Sequence, residues 1–186
     1  KVSGGGMLYD WSVHLIDQML DLIDSEPESV FVDAVKVRFP EVDDCNKILV
    51  KFKNGVRYQI VVDSWCYIGE NRWHICGDDG TAVVPVWGDV KGKIIKANIK
   101  EIGWEEGFVF TSNGRSSTMA PRPVEKLQTF DASVPEIPPW EEFYHNFTAS
   151  IEGRDKPIVT HEQIRLVMKV LDACFRSMES GNAERV

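Results

Sequence analysis

Asp10, His14 and Asp17 stand at positions i, i+4 and i+7. On an α-helix, residues so spaced share one face within an arc of roughly 60°. A carboxylate one turn from an imidazole can orient the ring and support its protonated form. That makes the histidine a competent acid/base near neutral pH. The same spacing also describes a solvated helix face that happens to include a histidine, and on spacing alone this plainer reading is favoured. Gly4-Gly5-Gly6 lies directly ahead. Glycines there let the backbone approach something closely, and helix starts favour anionic or polar groups. A flexible chain end would show the same residues, so the glycines decide nothing by themselves.

Other chemistry has less support. His74 lies between Trp73 and Ile75 in a strand-like stretch and reads as a core or surface residue; His145 and His161 sit near helix starts and read as structural. No H-x-H or H-x-x-x-H spacing suggests a metal, and none is expected. No nucleophile sits in an elbow motif. The chain has neither a G-x-G-x-x-G after a strand nor a phosphate-binding loop, so it lacks the main dinucleotide motif.

The elements that must position the candidate residues follow from periodicity. Met7–Ile23 predicts one amphipathic helix, with Leu8, Leu15, Ile16, Met19, Leu20, Leu22 and Ile23 on its apolar arc. Residues 29–97 switch to a strand-like period. Strands are predicted over 30–39, 47–53, 56–67, 72–76, 81–87 and 93–98. Asn54-Gly55 and Gly77-Asp78-Asp79-Gly80 mark tight hairpins. Trp104–Thr111 reads as a strand, Ser112–Pro123 as an exposed loop, Val124–Phe130 as the last strand and Pro135–Pro139 as a linker. Trp140–Glu152 predicts a helix ending at Gly153. Thr160 and Gln163 form a capping-box pattern opening a helix to about Ser180, with Ile164, Val167, Met168, Leu171 and Phe175 as its apolar positions. The expected fold class is α+β, an open, mostly antiparallel sheet with helices packed on one face. Trp65, Tyr67, Trp73, Trp87 and Trp104 are an unusually aromatic set for strands. They suggest that the open face forms a homo-oligomer interface.

Composition bounds the partners. The chain has 186 residues, 43% hydrophobic and 27% charged, with a net charge of −8. One globular domain is expected. The acidic balance argues against nucleic acid and anionic membrane surfaces, and no apolar run approaches a membrane span. The four cysteines, Cys45, Cys66, Cys76 and Cys174, fit no zinc framework and read as reduced core residues of a cytoplasmic protein. Asn146-Phe147-Thr148 matches a glycosylation sequon, a match without meaning in such a compartment. The N-terminus has no initiator Met and no signal peptide, which suggests an excised piece of a longer chain.

Gly4 to Asp17 resembles the G-G-G-x-L-x-D-x-G-x-H-x-x-D signature of the Gfo/Idh/MocA oxidoreductases, the family of glucose–fructose oxidoreductase and inositol dehydrogenase. Ser12 departs from it, where the family often has Gly. Residues 73–84 resemble the family's Gly-x-x-Gly hairpin, and Phe143–Gly181 its closing helices.

The resemblance implies that residues 1–186 are a single substrate-binding and dimerisation domain, of the glyceraldehyde-3-phosphate dehydrogenase-like C-terminal kind. An N-terminal Rossmann domain, absent here, would hold NAD or NADP. By the same resemblance, His14 takes the proton of a substrate hydroxyl, alone or with a lysine of the other domain. Asp10 orients His14 or binds substrate, and Asp17, Trp11 and Tyr9 line the substrate. The implied reaction is oxidation of a CH-OH group on a sugar, cyclitol or polyol, hydride passing to the nicotinamide. The isolated piece would be inactive. A non-catalytic ligand-binding or assembly scaffold is the alternative from another class. A free-standing β-rich binder is a third reading, which requires the chain to be complete.

Overall fold

The computed structural model describes residues 5–87, 91–97, 107–118, 124–133 and 139–186. The chain divides into two compact units: residues 1–67 with 139–186, and residues 68–138.

The first unit opens with helix α1 (Gly6–Asp10) and helix α2 (Ser12–Leu22). Strands β1 (Pro27–Val35), β2 (Cys45–Phe52) and β3 (Arg57–Asp63) follow. Helices α3 (Trp140–Ile151) and α4 (His161–Ser180) and the short strand β10 (Glu184–Arg185) complete it. The sheet runs β10-β1-β2-β3 and is antiparallel throughout.

One face of each strand is apolar at alternate positions. Ile48, Val50 and Phe52 of β2 all point inward and are fully buried, with Val30 and Val32 of β1 and Ile60 of β3 beside them. Leu8, Ile16 and Met19 cover this face from α1 and α2, and Val167, Val170, Leu171 and Cys174 cover it from α4. The expected α+β arrangement is therefore present, with antiparallel strands and helices on one face of this sheet.

Local chemistry explains several boundaries. At the Asn54-Gly55 hairpin, Gly55 N donates to Phe52 O at 3.0 Å and Phe52 N to Val56 O at 3.0 Å. Gly55 has φ +94° while Asn54 is not left-handed. The loop therefore spans three residues closed by a left-handed glycine. The capping box forms as expected: Gln163 N donates to Thr160 Oγ1 at 3.2 Å, and Thr160 N to Gln163 Oε1 at 2.8 Å. Gly181 ends α4 at φ +69°. Asn146 stitches the turn between α3 and α4, donating to Lys156 O at 2.9 Å and accepting from Ile158 N at 2.9 Å.

β10 is too short to pair all of β1. Ser177 Oγ, buried in α4, extends the edge by accepting Val32 N at 3.0 Å and donating to Asn182 O at 2.6 Å. This closes an edge that would otherwise expose a buried donor.

The second unit holds β4 (Trp73–Gly77), β5 (Gly80–Val84), β6 (Lys91–Ala97) and β9 (Leu127–Ser133) in that order, all antiparallel. It also holds a separate hairpin of β7 (Gly107–Thr111) and β8 (Gly114–Thr118). Gly80 is required by packing, since a Cβ there would lie 2.2 Å from Ile95 O.

Several expectations are corrected. The first helix is broken at Trp11 rather than continuous to Ile23. Leu22 is exposed, because α2 ends beside it and the chain turns away into β1. Strand β1 stops at Val35, since Asp44 gathers the next amides into a loop, and β3 stops at Asp63. Residues 112–118 are not all loop: Gly114, at φ +110°, turns the chain back into β8. Residues 124–126 form a 3-10 turn ahead of β9. In α4, Ile164 and Met168 are half-exposed, and Val170 and Ala173 are buried instead. The cysteines are all free, but only Cys174 is core, its thiol pushed up to about 12 by burial; Cys66 and Cys76 are exposed. Gly4, Trp104 and the linker residues 135–138 lie outside the described residues.

Candidate functional site

The segment that carries the candidate residues is anchored from below. Ser12, Ile16 and Met19 of α2 are buried. They repeat the i, i+4, i+7 spacing two residues out of phase with Asp10, His14 and Asp17. Two residues are about 200° of helix rotation, so burying one set presents the other to solvent. His14 and Asp17 are accordingly exposed on α2, and Asp10 is exposed at the end of α1. Among the described residues, none of these three side chains makes a hydrogen bond or ion pair. The three groups are exposed without being locked to one another.

The break at Trp11 sets how Asp10 meets α2. Trp11 N donates to Met7 O at 3.0 Å, and Trp11 O accepts from both His14 N at 3.2 Å and Leu15 N at 3.4 Å. The backbone thus tightens at this residue while staying right-handed, φ −98° and ψ −40°. The Trp11 side chain is half-exposed. Tyr9 is half-exposed too, and its ring lies 4.8 Å from that of Phe175 on α4. Both flank the polar residues, but Tyr9 also packs on the fold.

A buried polar cluster that the pattern of the sequence did not single out lies beneath this segment. Asp43 is almost fully buried. Its Oδ2 accepts from Leu8 N at 2.8 Å and from Asn46 Nδ2 at 3.0 Å, and its backbone O accepts from Met7 N at 3.0 Å. Asn46 Oδ1 in turn accepts from Ser12 Oγ at 2.8 Å. Gly6 has φ +77°, and a Cβ on it would lie 2.3 Å from Asp43 Oδ1. The close approach allowed by Gly6 is therefore to the protein's own carboxylate. The only hint in the sequence is Asp43-Asp44 ahead of a strand, with Asn46 at a position that alternation marks as inward.

The neighbouring Asp44 does a different job. Its Oδ2 accepts Val37 N at 2.8 Å, Arg38 N at 2.9 Å and Phe39 N at 3.3 Å. These backbone hydrogen bonds, that from Arg38 foremost, hold its carboxyl below the usual range. A depressed carboxyl stabilises the fold above its unfolded pKa, and that contribution is lost as pH falls through the folded one. Asp44→Asn is expected to lower the melting temperature at neutral pH. The gap to wild type should shrink as pH falls below about 4, the ordinary range for Asp. A gap that stayed constant with pH in thermal melts would refute the role of the charge.

Met7 N and Leu8 N are taken by Asp43, so this helix start offers neither amide to a phosphate. Among the described residues no group of three or more His, Cys, Asp or Glu side chains could hold a metal. No described helix is long and apolar enough to cross a membrane.

A depression at the first sheet is lined by Asp33, Val35, Asn46, Lys47, Asp63 and Trp65 among others. Cys45 Sγ donates to Asp63 Oδ1 at 3.0 Å beside it, and burial, then this bond, raises the thiol. Of the aromatic set, Tyr67 and Trp87 are exposed, and Trp65 is just over a third exposed. In the second unit the Arg72 guanidinium lies 4.1 Å from the Trp73 ring centroid and 3.9 Å from that of Trp87.

Residues 1–83 match the family model described as the GFO/IDH/MocA C-terminal domain. An NAD-binding protein from Listeria innocua is 33% identical over 98% of this chain and 52% of its own, with a TM-score of 0.79. The WlbA dehydrogenase from Bordetella pertussis, solved in complex with NADH and UDP-GlcNAcA, is 16% identical, covering 98% of this chain and 46% of its own, at a TM-score of 0.57. The UDP-N-acetylglucosamine 3-dehydrogenase GnnA from Acidithiobacillus ferrooxidans is 14% identical, covering 94% of this chain and 49% of its own, at 0.67. The last two show the fold alone. This chain spans about half the length of the solved structures it matches. No curated protein matches it.

Proposed function

We propose, from the premise that this chain is a C-terminal domain of the Gfo/Idh/MocA oxidoreductases, that it supplies the substrate-facing half of an NAD- or NADP-dependent dehydrogenase. The substrate is a small sugar, cyclitol or related polyol oxidised at a CH-OH carbon. One observation carries the reading. The segment that matches the family signature buries Leu8, Ile16 and Met19 and leaves Asp10, His14 and Asp17 exposed on its polar side.

His14 accepts the hydroxyl proton through an imidazole nitrogen. Asp10, one turn earlier, is placed to hold the imidazolium or a neighbouring substrate hydroxyl. Asp17, Trp11 and Tyr9 extend the same side, offering a carboxylate acceptor and two half-exposed rings to the polar and apolar faces of a sugar. A bound nicotinamide would supply the hydride acceptor for the CH-OH carbon.

The open faces of the sheets support a homo-oligomer. In the first unit, Phe31 and Leu49 pair across strands and are each close to half-exposed. In the second, Ile75, Ala82, Ile94 and Phe130 form a cross-strand row with Ile75 and Phe130 exposed. Apolar rows on sheet faces suit association with a second copy. A cytoplasmic location fits the free cysteines.

The alternative, a non-catalytic scaffold that binds a related ligand, is favoured by the lack of any hydrogen bond between Asp10 and His14. The test is nicotinamide reduction by the whole protein against a panel of sugars, cyclitols and other polyols with both cofactors. Turnover with one class supports the enzyme. Saturable binding of a sugar with no reduction of either cofactor would establish the scaffold.

A further inference from the structure

We infer that Asp43, through Asn46 and Ser12, is a positioning residue for the Asp10–His14 pair; this rests on the proposed function. Asp43 is not exposed and touches neither Asp10 nor His14. It acts on the backbone just ahead of Asp10 and, through Asn46, on the Ser12 side chain between Asp10 and His14. Its backbone oxygen and Oδ2 take the first two amides after Gly6, which fixes where α1 begins. Asn46, tied to the same Oδ2, takes the Ser12 hydroxyl, which fixes where α2 begins. Asp10 and Trp11 lie between those two fixed points, and His14 follows on the first turn of α2. One buried carboxylate just ahead of β2 therefore sets both the height and the rotation of the segment relative to the sheet.

Several features argue that this is more than ordinary packing. Buried carboxylates are costly unless fully paired, and an apolar residue could fill the same space. Gly6 is left-handed at φ +77°, and a Cβ on it would lie 2.3 Å from Asp43 Oδ1. The Ser12 hydroxyl is buried and satisfied by Asn46 alone among the described residues. The link from Ser12 to Asn46 is thus a property of this chain's own side chains. Catalytic groups displaced by about 1 Å can lose on the order of 10²-fold in rate, so a support that fixes both ends of the Asp10–His14 segment has kinetic consequences.

The experiment uses the whole protein and compares Asp43→Ala, Asp43→Asn and Ser12→Ala with Val170→Ala. Val170 is fully buried in α4 and serves as a destabilised control outside the Asp43–Asn46–Ser12 hydrogen bonds. Two readouts are taken at a temperature where every variant is folded: kcat at saturating substrate, and amide hydrogen exchange over residues 7–14. Asp43→Ala is expected to lower kcat about 10-fold or more, with little change in KM, and to speed exchange over 7–14. Asp43→Asn, which keeps an oxygen for Leu8 N, should recover part of both. Ser12→Ala should move both in the same direction by less and serves if Asp43→Ala does not fold. Val170→Ala should change neither.

Turnover in the Asp43 and Ser12 variants equal to that of Val170→Ala, or unchanged exchange, overturns the inference. If His14→Ala lowers kcat while the Asp43 and Ser12 variants do not, the positioning role alone is wrong. If none lowers it, the site assignment falls and the inference with it.

Discussion

Replacing His14 by Ala in the whole protein is expected to lower turnover by about 10²-fold or more, the lower end of what a positioned acid/base contributes. The structure makes this a clean substitution. His14 is exposed, makes no hydrogen bond or ion pair with a described residue, and lies opposite Ile16 and Met19, which hold α2 to the sheet. Removing the imidazole therefore leaves the core intact, and the melting temperature should stay within the small range of surface changes. The loss should appear in kcat rather than in KM, because a proton acceptor acts in the transition state more than in the bound ground state. If Asp10 and His14 work as one unit, the double replacement should cost no more than the worse single one. Steady-state kinetics on the three variants decides this. Normal turnover in the double variant would show that the polar side of α1 and α2 is only a solvated face.

The second large effect concerns stability. Gly6→Ala is expected to cost about 2–5 kcal/mol, combining a left-handed backbone penalty of about 1–2 kcal/mol with disruption of a buried hydrogen-bonded carboxylate worth about 1–3 kcal/mol. The clash is with Asp43 Oδ1 at 2.3 Å and with its backbone N and O at 3.0 Å. The carboxylate cannot move aside without releasing Leu8 N and Asn46. Gly153 supplies the matched comparison: it has φ +73° and nothing within 4 Å of its Cβ position. Gly153→Ala should therefore show only the backbone penalty, about 1–2 kcal/mol. Chemical denaturation of both variants measures the difference. Equal costs would mean that the contact with Asp43 contributes nothing, and that Gly6 is required for its φ alone.

Much of this architecture was legible in the residues. The capping pair Thr160 and Gln163, the stop at Gly181 and the Asn54-Gly55 turn are short-range devices, and their partners lie within a few positions of each other. The alternation of Ile48, Val50 and Phe52 is likewise a local pattern with a single structural solution. The short second strand of the β7–β8 hairpin was not legible, because Gly114 to Thr118 is polar and carries no alternation. β10 was hidden for another reason: two residues have no period, and they pair with β1 only because α4 delivers them there. The exposure of Ile164 and Met168 also escaped, since periodicity marks an apolar arc wider than the one that the sheet has room to cover.

For the candidate site the division is sharper. The residue types at Asp10, His14 and Asp17 follow from the sequence alone, as does their placement opposite an apolar set, because both depend on the pitch of a helix. What Gly6 approaches, and what holds the segment in place, were decided only by the tertiary structure. Asp43 lies 35 residues from Leu8 along the chain, and Asn46 lies 34 from Ser12. No local pattern reports a hydrogen bond across that distance. It exists because the inward face of β2 comes up beneath the first two helices, where a buried carboxylate must find every partner that water would have supplied.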